Sequence, residues 1–96
     1  MTGRGNARLR PSANAVWTEV LDVVYIVDAA GEDPFLVRAL EGTAAHIWHL
    51  LQTAPTEEIL VSRISDEYGL AADEVVPEVR RFLDDLRLGG LLAPAS

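Results

Sequence analysis

The hydrophobic pattern of the chain changes period once, near residue 41. Before that point apolar and β-branched residues come in short runs bounded by turn residues, the signature of strands. Val16-Trp17-Thr18-Glu19-Val20-Leu21 predicts a first strand, Asp22 a turn, and Val23-Val24-Tyr25-Ile26-Val27 a central strand. Asp28 to Asp33, with Gly31, reads as a second turn. Pro34 then opens a third strand, Phe35 to Leu40. Proline cannot donate to a ladder, so this strand belongs on an edge of the sheet. Upstream, Arg8 to Pro11 reads as the beginning of another edge strand, behind a small, polar, Gly-rich tail over residues 1–7.

After residue 41 the period is about 3.6. Ala44, Ile47, Trp48 and Leu51 form one stripe and predict a helix over Thr43–Gln52. A second helix starts with Thr56 as N-cap and Glu57 and Glu58 on the positive end of its dipole. Leu60, Ile64 and Tyr68 make its inward stripe, and Gly69 ends it. The third helix is predicted from Asp73, its N-cap, to Leu88, with Pro77 in the first turn and Gly89-Gly90 as the stop. Leu91-Leu92 folds back as an apolar clasp, and residues 93–96 are a second tail. On the third helix Val75, Val79, Phe82 and Leu86 suffice as a core stripe, yet the neighbouring stripe Val76, Arg80, Leu83, Arg87 also carries apolar residues. One reading is a wide core face; the other is a half-exposed groove whose apolar floor is flanked by arginines.

Composition narrows the function. With 96 residues the chain has room for one domain and one modest core. It has no Cys and no Lys, which removes disulfide scaffolds, thiolate zinc sites, cysteine nucleophiles, Schiff bases and the lysine of a phosphate loop. Residues 1–18 hold Arg4, Arg8 and Arg10 and no acid, whereas the remainder holds all fifteen acids and five arginines. No apolar run approaches the roughly 20 residues of a bilayer span, and no signal peptide is visible, so a cytoplasmic protein is expected.

An enzyme is not expected. His46 and His49 share a helix face without a third ligand at helical spacing, so they read as surface histidines and no metal site is assigned. The acidic pairs Glu57-Glu58, Asp73-Glu74 and Asp84-Asp85 are neighbours on helices and do not oppose each other across a cleft. Ser62 and Ser65 lack a base at suitable spacing, and Gly89-Gly90 follows a helix rather than opening one.

Three strands followed by three helices with short connections predict an α+β fold, a winged helix-turn-helix with an N-terminal three-stranded antiparallel sheet. That fold is usually a DNA reader, which makes a winged helix regulator the alternative of another class. Its recognition helix would carry five acids against three arginines and would forfeit the phosphate term of DNA affinity. Peptide capture remains: an edge strand offers unpaired N–H and C=O groups to an extended peptide, and the third helix supplies pockets beside it.

The residues that carry this architecture also resemble a known family. Leu40-Glu41-Gly42-Thr43-Ala44-Ala45-His46-Ile47-Trp48-His49-Leu50-Leu51 is similar to the L-N-x-T-A-x-x-I-W-x-L-L signature of PqqD-like proteins. The likeness continues through Pro55-Thr56-Glu57-Glu58-Ile59, Asp66-Glu67-Tyr68-Gly69-Leu70, Glu78 to Leu86, and Gly89-Gly90-Leu91-Leu92. It covers roughly residues 8–92, and it departs at Glu41, where the family often has Asn, and at Arg38, where an aromatic is common. The resemblance implies a RiPP recognition element, which binds the leader segment of a ribosomally made precursor peptide as a strand added between the third strand and third helix. Free-standing members serve lasso peptide clusters or, as the alternative, pyrroloquinoline quinone biosynthesis beside a radical enzyme. The lasso likeness is the closer one and implies as partners the precursor leader, a transglutaminase-like leader peptidase and a macrolactam cyclase, with no cofactor, nucleic acid or membrane.

On that reading the peptide-binding residues are Asp33, Phe35, Leu36, Val37, Arg38 and Ala39 on the strand, and Val76, Val79, Arg80, Leu83, Asp84 and Arg87 on the helix. Val76, Val79 and Leu83 would floor the pocket, Arg80 and Arg87 would flank it, and Asp84 and Asp33 would suit a leader Lys. Ile47, Trp48, Ile64, Phe82 and Leu86 are assigned to the core. With Leu40 toward the core, Val37 turns the other way. Leu83→Glu is expected to weaken leader binding while the fold survives.

Overall fold

The computed structural model describes residues 7–32 and 36–93. The element order is β1 (Ala15–Val20), β2 (Val23–Asp28), β3 (Arg38–Leu40), α1 (Gly42–Leu51), α2 (Glu57–Tyr68) and α3 (Ala72–Leu88). The strands form one antiparallel sheet in the order β1-β2-β3, so β3 is an edge, and the fold is α+β as expected. No helix among the described residues is long and apolar enough to cross a membrane.

The β1-β2 hairpin turns on two residues, Leu21 (φ 51°) and Asp22 (φ 67°). Both lie in the left-handed region, the mark of a type I′ turn, which matches the right-handed twist of the strands. Leu21 therefore leaves the strand in which the sequence pattern placed it. A branched side chain in this conformation is strained, and Leu21 is 91% exposed, so no packing offsets the strain. Replacing Leu21-Asp22 by Asn-Gly is expected to stabilise the domain by about 1 kcal/mol, a rise of roughly 4–8 °C in Tm. An unchanged melting curve would contradict the turn assignment.

The inner face of the sheet presents Val24, Ile26 and Leu40, all buried, to the helices. Against it pack Ile47, Trp48 and Leu51 of α1, Leu60 and Ile64 of α2, and Val75, Val79, Leu83 and Leu86 of α3. Trp48 is fully buried and meets Trp17 edge-on, with ring centroids 6.2 Å apart at 87°. Such a T-shaped pair contributes about 0.5–1.5 kcal/mol beyond its area. The outward face, by contrast, carries Val16, Thr18, Val20, Val23, Tyr25, Val27 and Ala39, none of them charged.

Helix ends follow local chemistry. The Thr56 hydroxyl accepts the Ile59 N–H at 3.2 Å and caps α2. Gly69 (φ 64°) closes α2 in the left-handed conformation that only glycine adopts without strain. Helix α3 starts two residues before the expected Asp73: its N-cap is Ala71, whose N–H bonds the Glu74 carboxylate at 3.2 Å. Pro77 is then the sixth helical residue and falls beyond the first turn, on an exposed face where the carbonyl it leaves unbonded can meet water. Tyr68 is a further correction. Expected on the inward stripe of α2, it is 42% exposed and lies beside His46, because Val61 completes the buried face instead.

Residues 8–11 do not join the sheet. Arg8 bridges to Thr56 and Pro11 to Leu92, with Leu9 buried at the α2 start. The Leu9 N–H bonds Pro55 O at 2.7 Å, and the Ala93 N–H bonds Arg10 O at 2.9 Å. The segment is a strap tying α2 to the buried Leu91-Leu92 clasp. Ala93 belongs to this strap, and the expected tails otherwise lie in residues 1–6 and 94–96, outside the described residues.

Candidate functional site

Hydrogen-bond parity decides what the edge of β3 offers. A two-residue hairpin closes on a hydrogen-bonded pair, here Val20 and Val23, and such pairs alternate along an antiparallel ladder. The same parity predicts a bond between Asn14 and Ala29, and the Ala29 N–H does bond Asn14 O at 2.8 Å. Val24 and Ile26 therefore turn their amides toward β3, where they face Leu40 and Arg38. Ala39 lies opposite Tyr25, whose amide groups serve β1. The N–H and C=O of Ala39 consequently point away from the sheet, and by the same alternation so do those of Val37. Side chains divide in the complementary way: Leu40 is buried and Arg38 half-buried on the inner face, while Val37, 52% exposed, stands with Ala39 on the outer one.

Beside this edge, α3 forms one wall of a groove. A cleft of about 390 Å³ lies between Thr43, Ala44 and Ile47 of α1, Ile64 of α2, Leu70 in the turn after it, and the α3 residues Glu74, Val75, Glu78, Val79, Arg81, Phe82 and Asp85. A separate, smaller cleft of about 60 Å³ lies between Ile26 and Asp28 of β2, Leu36 and Arg38, and Gly89 and Leu91. Positions 78, 82, 85 and 89 share one stripe of α3. Leu36 and Arg38 thus lie near the C-terminal end of α3, and Thr43 and Ala44 against its earlier turns. At the far end the Arg38 guanidinium lies against Gly89 at the C-terminal end of α3, where a positive charge is favoured. Gly90 (φ 74°) takes the left-handed conformation that favours glycine, and it sits against the Asp28 carboxylate.

The expected site residues divide. Leu36 and Arg38 line the smaller cleft and Val79 the larger one, whereas Val37 and Ala39 turn their side chains to the outer face of the sheet. Asp33 and Phe35 lie outside the described residues. The other helix residues are on the opposite flank of α3, and the expected groove stripe is corrected accordingly. Leu83 is 1% exposed and belongs to the core. Arg80 donates two hydrogen bonds to Glu57 of α2, at 3.0 and 3.1 Å, and Arg87 pairs with Asp84 one turn away on the exposed surface. Val76, half-buried, lies between these positions and the core. Glu57 of α2 lies against this flank at Arg80, and no described cleft is lined by it. Conversely Phe82, expected in the core, is only half-buried and lines the open cleft. The sequence pattern did not point to Thr43, Ala44, Leu70, Glu74, Val75, Glu78, Arg81, Phe82 or Asp85 as cleft residues. Their sequence signal was the other flank of the same helix, with Phe82 as its largest apolar side chain.

The histidines take no part in the groove. His49 Nε2 lies 3.1 Å from Glu19 and its ring stands edge-on to Trp17, at 5.5 Å between centroids. No group of three or more His, Cys, Asp or Glu among the described residues could hold a metal ion.

Comparison with known proteins bears on this geometry. The family model described as "Coenzyme PQQ synthesis protein D (PqqD)" matches residues 37–92, from the start of the β3 edge to the clasp. Among solved structures the chain is similar to "TbiB1 in Complex with the TbiA(beta) Leader Peptide", with a TM-score of 0.81 at 24% identity, over 91% of this chain and 98% of that one. No curated protein sequence matches.

Proposed function

Because the chain belongs to the PqqD family, we propose that its groove binds the leader segment of a ribosomally made precursor peptide as a fourth strand on β3. The observation that carries this reading is the outward-facing amide edge at Ala39, with Arg38 of the same strand reaching the C-terminal end of α3 and the helix's open cleft one segment further on. Main-chain bonds to the edge supply affinity for any extended peptide, and the cleft supplies choice among side chains. The structure similar to it was solved with a leader peptide bound, which supports the same use of the same fold here.

In this reading the chain performs no chemistry. It holds the leader while a separate transglutaminase-like peptidase removes it and a macrolactam cyclase closes the product, as in lasso peptide maturation in the cytoplasm. The family description favours a second reading, in which the peptide is the precursor of a quinone cofactor and the client is a radical enzyme. The two differ in which precursor binds.

The test is a titration of the full chain into fluorescently labelled precursor peptides encoded beside its gene. Saturable binding is expected, with the precursor's mass unchanged by the purified chain alone. Phe82→Ala removes an apolar contact from the cleft and is expected to weaken binding by about 1–2 kcal/mol, or roughly 5- to 30-fold. Phe82 is only half-buried, so the folded state is expected to persist. Binding unaffected by Phe82→Ala would remove α3 from the site.

A further inference from the structure

The walls of the larger cleft carry an uneven charge. Glu74, Glu78 and Asp85 line it against a single guanidinium, Arg81. Glu74 is partly engaged, accepting the Ala71 N–H. Among the described residues neither Glu78 nor Asp85 enters an ion pair or a side-chain hydrogen bond. On the opposite flank the arginines are already matched, Arg80 by Glu57 and Arg87 by Asp84. Glu78, Phe82 and Asp85 follow the i, i+4, i+7 spacing of one helix face, so the two carboxylates bracket the half-buried ring.

We propose that this cleft is the specificity pocket of the groove and that it takes a lysine or arginine side chain of the bound strand. The aliphatic stem lies on Ala44, Val79 and Phe82, and the cationic head sits between Glu78 and Asp85. This rests on the leader-binding reading above and adds to it the chemistry of the anchoring residue. Long basic side chains bury an apolar stem while keeping the charge in water, which suits a cleft with an apolar floor and an acidic rim. A cation near the Phe82 face gains further from the ring quadrupole. An acidic side chain would meet two carboxylates and is rejected, so the pocket discriminates by repulsion as well as attraction.

The test is selection of binders from a displayed random-sequence peptide library on the full chain, repeated on Ala39→Pro and on the double variant Glu78→Gln/Asp85→Asn. Both substituted carboxylates are exposed, so the double variant keeps its fold. The expected result is a set of binders lost on Ala39→Pro and enriched in Lys or Arg at one position, with that enrichment gone on the double variant. Individual binders are expected to lose roughly fivefold in affinity for each carboxylate neutralised. Ala39→Pro-sensitive binders with an aromatic or aliphatic residue at that position, or with basic enrichment untouched by the double variant, would overturn the pocket assignment and leave the leader reading standing. A library yielding no binder sensitive to Ala39→Pro would overturn the strand-addition reading itself. A peptide-free protein that sediments as a dimer, and becomes monomeric on Phe82→Ala, would assign the cleft to a second copy of the chain instead.

Discussion

Ala39→Pro is expected to abolish most leader binding while leaving the domain folded. The Ala39 N–H faces the open edge rather than β2, so removing it takes no bond from the existing ladder. Proline is tolerated at such a position on an edge strand, and it pushes the preceding residue toward the extended conformation that Arg38 already has. What it removes is the donor that an incoming strand needs, and it leaves the strand's carbonyl buried without a partner. That omission costs about 1–3 kcal/mol, so affinity should fall by roughly tenfold or more. Arg38→Pro is the converse control. The Arg38 N–H serves β2, so this variant should lower Tm markedly. Titration and thermal melting of both variants separate the cases. Wild-type affinity in Ala39→Pro would mean that the peptide does not add to β3.

Leu83→Glu is expected to unfold the domain. Read as groove floor, Leu83 would tolerate the change with a loss of binding alone. At 1% exposure, packed with Val79 and Leu86 in the core, it cannot. An unpaired carboxylate there costs several kcal/mol, a large part of the 5–15 kcal/mol typical of a whole domain. The milder Leu83→Ala should lose about 2–5 kcal/mol by urea denaturation with its slope unchanged. Near-native stability in Leu83→Glu would place Leu83 on the surface and reverse the assignment of the two flanks of α3. Peptide affinity of Leu83→Ala, measured where it remains folded, should match the wild type.

These two residues also show how much of the molecule was legible in one dimension. Strand and helix periods, the Thr56 cap and the Gly69 stop are local chemistry, and each was readable from a few neighbouring residues. The edge position of β3 agrees with the expectation, but the strand runs only Arg38–Leu40 rather than the expected Phe35–Leu40, so its place comes from the ladder order and not from Pro34. Leu21 reads as strand because it closes an apolar run, whereas the two-residue hairpin requires a left-handed turn there. Residues 8–11 were misjudged because nothing local reveals that their partners are Thr56 and Leu92.

Residue order alone specifies the order of elements, the class of the fold, the lack of Cys and Lys chemistry, and α3 as the helix that borders the proposed groove. Only the tertiary structure decided which flank of that helix is open. Successive residues of an α-helix turn by about 100°, so the stripes 76-80-83-87 and 78-82-85-89 lie on either side of the buried face and are equivalent as periodic patterns. Their difference comes from a neighbour distant in sequence. Glu57 of α2 meets Arg80 on the first flank, where Leu83 is buried, while the second flank lines an open cleft with Thr43, Ala44 and Ile47 of α1. Periodicity records that a helix has a buried side, and only packing assigns the residues next to it to core or cleft.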